Sequence, residues 1–274
     1  MPHASQGAPF HVGRFHILLP ISGHFHWGEG RRVHVAGSQH ALYVAAGREY
    51  RVTHLSTSEH SLLLLPSHEM LDELSWSGGF SPDLAEVRLR DPDALLLTYR
   101  LLWSLCQPES QLAVDELLCS LIDSMAPARR SGSHVAAGSA NVIRAAKEMV
   151  HDQIGTPLTL SEIAAAAGAS PVYLTNLFKR VEGVALHQYG MRLRLTEALR
   201  RLPDAADLTG LAYDLGFSSH SHFTAAFRSR FHATPRAMRE FARARPTRGP
   251  LFTKPMCRAR GGTISDEEAI DVLS

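Results

Sequence analysis

Cysteine is scarce in this sequence. Its 274 residues hold three, Cys106, Cys119 and Cys257, an odd number with no C-x-x-C pair. That excludes a disulfide framework and a zinc-ribbon ligand set, and fits reduced thiols in or near a core. Long apolar runs are also missing. The longest, "SLLLLP" at 61–66, reads as a buried strand and is far short of the roughly 20 residues that span a bilayer. The start, "MPHASQGAPF", lacks the basic and apolar regions of a signal peptide. No strong excess of one charge exists either, since 28 Lys and Arg face 27 Asp and Glu. These absences lead us to expect a cytoplasmic protein with no membrane partner. What is present is a composition 45% hydrophobic and 20% charged, typical of a packed globular chain long enough for two domains.

The even charge balance hides a division. Residues 1–138 hold 10 basic against 14 acidic side chains, whereas residues 139–245 hold 14 against 9. A basic part joined to an acidic one suggests that one of them meets a polyanion. Residues 10 to about 66 read as strands. "RRVHVAG", "HALYVAAG" and "EYRVTHL" are short alternating runs punctuated by Gly30, Gly37 and Gly47, as in a small antiparallel barrel or sandwich. From "SPDLAEVRL" the period becomes helical. "DALLLTYRLLWSL" and "LAVDELLCSLIDSMA" read as two helices broken by Pro108. The expected organisation is a barrel over 1–90, a helical pair over 91–126, a linker over 127–139, an all-helical domain over 140–244 and a largely flexible tail over 245–274.

The helical part contains an internal repeat. "LTLSEIAAAAGASPVYLTNLFKR", 158–180, aligns with "LTGLAYDLGFSSHSHFTAAFRSR", 208–230. Leu160, Ile163, Ala164, Gly168, Leu174 and Phe178 recur as Leu208, Leu211, Ala212, Gly216, Phe223 and Phe227, offset by 48 residues up to the glycine and 49 beyond it. Each copy reads as a helix-turn-helix. Leu and Ile face a core, Ala permits close helix approach, Gly ends the first helix at positive φ, and Ser170 or Ser219 caps the second. In such a unit the second helix lies in the DNA major groove. That accounts for the short, uncharged polar face His220, Ser221, His222 and Thr224, with Arg228 and Arg230 further along where phosphates lie. "VALHQYGMRLRLTEALRRL", 184–202, joins the copies as a helix of about 28 Å.

These residues resemble the DNA-binding domain of AraC/XylS-family transcription regulators. "LGFSSHSHFTAAFRSRFHATPRAMR" matches the family's G-F-x-S-x-x-x-F-x-x-x-F-R segment with its Thr-Pro. One departure is "GVALHQY", where Leu186 stands in place of a frequent Pro. The resemblance implies an α+β protein of two domains. The first is a cupin-like antiparallel β-barrel with a following helical pair, and the second an all-α domain with two helix-turn-helix units joined by a long helix. It implies a one-component regulator of transcription that binds double-stranded DNA and a small-molecule effector, with RNA polymerase as a further candidate partner and no cofactor. Carried over by position, the base-facing residues are Val172, Thr175 and Asn176 in the first unit and His220, Ser221, Thr224 and Ala225 in the second. Tyr173, Lys179, Arg180, Arg192, Arg194 and Arg228 are phosphate candidates. The first recognition helix, with an apolar Val172 and no Arg or Gln, suits thymine methyls or contributes little specificity.

The acidic half also resembles the family, in "SQHALYVAAGREYRVTHLSTSEHSLLLLPSHEMLDEL". Tyr50, Val52 and His54 alternate onto one face and are candidates for an effector pocket or a core. "HFHWGE" places His24, His26 and Glu29 close to the metal-binding spacing of cupin enzymes, though the Glu is one position early and no distal His is evident. A metal-dependent cupin enzyme fused to a DNA-binding module is therefore the alternative function. A DNA-repair reading would need a reactive cysteine cluster, and 1–138 has just Cys106 and Cys119. The two helices display Leu95, Leu96, Leu101, Leu102, Leu117, Leu118, Leu121 and Ile122, which either pad the barrel or offer a two-fold homodimer face.

Overall fold

The computed structural model describes residues 10–11, 13–29, 32–55, 59–66, 86–105, 111–125 and 137–243. The tail over 245–274, the linker residues 127–136, Pro108, Cys106 and Cys257 lie outside them. The chain divides into two units, one preceding residue 131 and one spanning 131–242.

The first unit is β-rich. Its strands are β1 (Phe10–His11), β2 (His16–Ser22), β3 (His24–Glu29), β4 (Arg32–Gly37), β5 (His40–Val44), β6 (Glu49–His54), β7 (His60–Leu64) and β8 (Glu86–Leu89). They form two four-stranded antiparallel sheets, ordered β1-β6-β3-β4 and β7-β2-β5-β8. Phe25, Trp27, Ala36, Tyr50 and Val52 from the first sheet pack with Leu42 and Val44 from the second. Period-two alternation sends these side chains to one face of each sheet, which is why the strand pattern was readable. β7 is half-buried rather than buried throughout, with Leu62 and Leu64 inside and Leu63 between core and solvent. β8 falls where a helical pattern is expected. Its four residues are too few to show alternation, and pairing with β5 decides their conformation.

Two helices follow, α1 (Pro92–Leu105) and α2 (Gln111–Ser124), packed on each other. Arg90 ties the end of β8 to them. Its guanidinium donates to Pro20 O at 2.8 Å, to Thr98 Oγ1 at 3.1 Å and to Ser38 O. Burial lowers its pKa to about 10. Tyr99 Oη donates to Ile21 O at 3.2 Å and Tyr43 Oη to Met125 O at 2.9 Å. Of the two readings of these helices, padding within the chain and a homodimer face, the burial of their leucines fits the first. Leu95, Leu101, Leu102, Leu118, Leu121 and Ile122 are all buried within one chain, while Leu96 and Leu117 are half-buried. Outward positions of α2 carry Glu116, Cys119, Ser120 and Asp123 instead. Helical periodicity says which face is covered, not what covers it.

The second unit is all-helical, with α3 (Ala137–Asp152), α4 (Leu160–Ala166), α5 (Pro171–Glu182), α6 (Leu186–Arg201), α7 (Leu208–Asp214), α8 (His220–Phe231) and α9 (Pro235–Arg243). Helix begins at 137, three residues inside the segment read as linker. The joining helix α6 has 16 residues, about 24 Å rather than 28 Å. Its N-cap Ala185 has no side chain to accept a backbone proton. Gln188 Oε1 accepts the Ala185 N–H at 3.4 Å, and Leu186, where the family often has Pro, is buried at the first turn.

Candidate nucleic-acid interface

Two helix pairs, α4–α5 and α7–α8, carry the repeat. In each the turn glycine has positive φ, 65° at Gly168 and 74° at Gly216, a conformation that penalises any Cβ. Ile163 and Ala164, then Leu211 and Ala212, are buried against the second helices. Ser170 Oγ accepts from Tyr173 N at 3.3 Å and Ser219 Oγ from His222 N at 3.1 Å, satisfying donors that a helix start leaves orphaned. The entry helices are capped as well. Thr159 and Glu162 form a reciprocal capping box on α4, and Asp207 accepts from Gly210 N at 2.7 Å on α7. These hydrogen bonds hold the Glu162 carboxyl, through the Thr159 hydroxyl and N–H, below its ordinary pKa. The Gly210, Thr209 and Leu208 N–H groups, with the nearby His220, do the same for Asp207.

The inner faces fix the outer ones. On α5, Leu174, Leu177 and Phe178 are buried, and Phe178 meets the Tyr189 ring edge-on at 5.3 Å. On α8, Phe223, Phe227 and Phe231 form a ladder with ring separations of 5.7 and 4.8 Å, and Phe217 packs on Phe223 at 5.1 Å. Helical geometry then places Val172, Thr175, Asn176 and Lys179 on one stripe of α5, and Ser221, Thr224, Ala225 and Arg228 on the equivalent stripe of α8. Val172, Thr175, Asn176 and Lys179 are exposed, as are His220, Ser221, Ala225 and Arg228, while Thr224 is half-buried. A shallow depression along α8 is lined by His220, Ser221, Thr224, Ala225 and Arg228. Ser229 and Thr234 complete it. Neither was singled out from sequence, although Ser229 lies four residues after Ala225 on the same stripe.

The predicted phosphate set divides. Lys179, Arg180 and Arg228 are exposed, and Arg192 is half-buried. None of these four is in an ion pair among the described residues. Tyr173 is 45% exposed, and its hydroxyl lies 3.0 Å from Ser139 Oγ on α3. Arg194 needs correction. Its guanidinium donates to Ile154 O at 3.1 Å, Gly216 O at 3.2 Å and Thr156 O at 3.4 Å, and burial lowers its pKa. It clasps the loop entering α4 to the turn of α7–α8. There the backbones touch so closely that a Cβ on Gly216 would sit 2.7 Å from Gly155 O.

The sites expected in the β-rich unit are also placed. Tyr50 and Val52 are buried in the packed core, but His54, the last residue of β6, is exposed and bound to Glu59. Strand alternation puts the three on one face, and His54, at the end of the strand, lies beyond the packed core. His24 is buried, His26 is half-buried, and Glu29 pairs with Arg48 at 3.1 Å. Among the described residues no group of three His, Cys, Asp or Glu side chains is placed to hold a metal ion.

A family model described as a helix-turn-helix domain matches residues 163–240. The probable transcription factor PqrA of Proteus vulgaris is 33% identical over 84 residues, which is 30% of this chain and 69% of that protein. The chain belongs to the AraC/XylS family of transcription regulators. Similarity to an HTH-type transcriptional regulator of Bacillus subtilis, YobQ, extends further, at 27% identity over 81% of this chain and 85% of that protein. A solved AraC-type DNA-binding regulator from Chromobacterium violaceum is 32% identical, over 40% of this chain and 99% of that chain, with a TM-score of 0.37. The chain spans 38% and 33% of the lengths of two other curated regulators that it matches. The AraC/XylS assignment leaves the metal-dependent enzyme alternative without support.

Proposed function

We propose that this AraC/XylS-family protein is a one-component regulator that reads duplex DNA with α5 and α8 and responds to a small molecule in its β-rich unit. The carrying observation is the pair of outward stripes at the same register on two equally capped helices, each ending in an exposed cation, Lys179 or Arg228. Val172, Thr175, Asn176, His220, Ser221, Thr224 and Ala225 face base edges. Tyr173, Lys179, Arg180, Arg192 and Arg228 face phosphates, and Arg194 braces the units. The domain limits are the cupin-like sensor before residue 91, the helical pair to 126 and the DNA-reading unit from 137 to 243. Interior polarity supports an effector. Trp27 Nε1 is buried without a hydrogen-bond partner among the described residues, with its ring 6.2 Å from that of Tyr50, whose hydroxyl lies 3.3 Å from His16 Nε2. Buried orphan donors are uncommon, and an acceptor on a small molecule would satisfy this one. The proposal includes two copies acting on paired half-sites in the cytoplasm, joined by a surface other than the buried leucines of α1 and α2, and it keeps RNA polymerase as a partner.

The test is selection of bound sites from a random duplex pool by the full chain, followed by a salt titration. A defined motif should emerge, and affinity for it should fall steeply as salt rises. Equal retention of all sequences would overturn the base-reading role.

A further inference from the structure

The stripes of α5 and α8 match in position and differ in chemistry. On α5 the three base-facing positions hold Val172, Thr175 and Asn176. No Arg, Lys, Asp or Glu stands there, so the charged groups that pair best with guanine O6 and N7 or with cytosine N4 are absent from these positions. Val172 is 72% exposed. A single exposed valine needs no explanation, but this one has company. Thr175 Oγ1 donates to Pro171 O at 2.9 Å, which commits the hydroxyl proton to the helix and leaves the methyl as the group with no other task. Asn176 is exposed beside them. In the major groove, aliphatic groups match the thymine methyl and a carboxamide matches the adenine N6 and N7 edge.

Resting on the DNA-reading function above, we infer that α5 reads an A·T-rich subsite, with Val172 and Thr175 packed on thymine methyls and Asn176 paired with adenine. Val172 and Asn176 are four residues apart, about 6 Å along the helix. That is about two base steps of roughly 3.4 Å, so the two readouts fall about two pairs apart. Lys179 lies a further turn from the N-terminal end that enters the groove, in the reach of the phosphates. The second unit does not share this restriction, because α8 presents the exposed His220 imidazole and Ser221 hydroxyl.

The experiment uses the full chain and the duplex it selects. Each thymine in that duplex is replaced singly by deoxyuridine, which deletes one methyl and nothing else. One or two replacements should weaken binding about fourfold each, the value of one buried methyl group. Val172→Ala should bind the parent duplex more weakly and lose its sensitivity at one of those thymines. Thr175→Ser, which keeps the hydroxyl, should behave similarly at the other, whereas Thr175→Val, which keeps the methyl group, should retain the deoxyuridine sensitivity at that thymine. Val172 is exposed, so its loss leaves the fold intact. Indifference to every deoxyuridine, or undiminished sensitivity in Val172→Ala, overturns the inference and leaves the DNA-reading function standing. Failure to select any motif overturns both.

Discussion

The two helix-turn-helix units share a register and are held by different means. The first turn, at Gly168, is open, since among the described residues nothing lies within 4 Å of where its Cβ would be. The second, at Gly216, is pressed against Gly155 and clasped by Arg194. The recognition helices differ too. α5 packs through Leu174, Leu177 and Phe178, and α8 through an aromatic ladder of Phe223, Phe227 and Phe231. Thr175 spends its hydroxyl proton on its own helix, whereas the Thr224 hydroxyl is buried with no partner among the described residues. Equal register sets what a unit can present to DNA. The supports decide how firmly it is presented.

The largest expected effect tests the turns. Gly168→Ala meets the left-handed conformation alone and should cost about 1–2 kcal/mol. Gly216→Ala adds a backbone contact at 2.7 Å that no side-chain rotation relieves, and overpacking costs about 1–3 kcal/mol more. Denaturant unfolding of the two variants should therefore separate them, with Gly216→Ala the weaker. Equal losses would show that the Gly155 contact yields freely and that the second turn is no better anchored than the first.

A smaller effect tests the helices. Thr224→Ala and Asn176→Ala should each weaken binding to the selected duplex by about 1–3 kcal/mol while leaving helix content unchanged. Removing the Thr224 hydroxyl from the free protein relieves an unsatisfied buried group, so its melting temperature should hold or rise even as DNA binding falls. A drop in stability together with binding would place that hydroxyl in the fold rather than at the interface. Circular dichroism and fluorescence anisotropy on the same variant distinguish the outcomes.

The legible parts of this molecule were the local ones. Gly168, Gly216, Ser170 and Ser219 follow from what a helix end requires, and the stripes of α5 and α8 follow from helical spacing once the buried Phe positions are set. Arg194 was misread because its partners are carbonyls of Ile154, Thr156 and Gly216. Backbone acceptors leave no mark on residue identity. His54 was misplaced, and the leucines of α1 and α2 stayed open between two readings, since periodicity gives a face but neither how far the core extends along a strand nor the identity of the covering surface. Strand β8 was lost because four residues show no period.

The smallest effect separates the two entry caps. Both Glu162 and Asp207 have folded pKa values below their ordinary 4.5 and 3.8. A depressed carboxyl contributes stability above its unfolded pKa and loses it as pH falls through the folded one. The loss should therefore begin near pH 4.5 and continue below 3.8. The two caps do not lose the same thing. Protonated Glu162 still leaves Thr159 Oγ1 accepting from Glu162 N at 3.3 Å, so α4 keeps part of its cap. Asp207 is the whole side-chain cap of α7, and it also sits in the field of His220 at the start of the reading helix. Asp207→Ser should supply a neutral cap and flatten the acid limb of the stability curve more than Glu162→Gln does. Both variants should match the parent closely at neutral pH, because Ser and Gln still accept the same backbone protons. If Glu162→Gln flattened the acid limb as much as Asp207→Ser, the two entry helices would be equivalently held, and the asymmetry between the units would begin only at their turns.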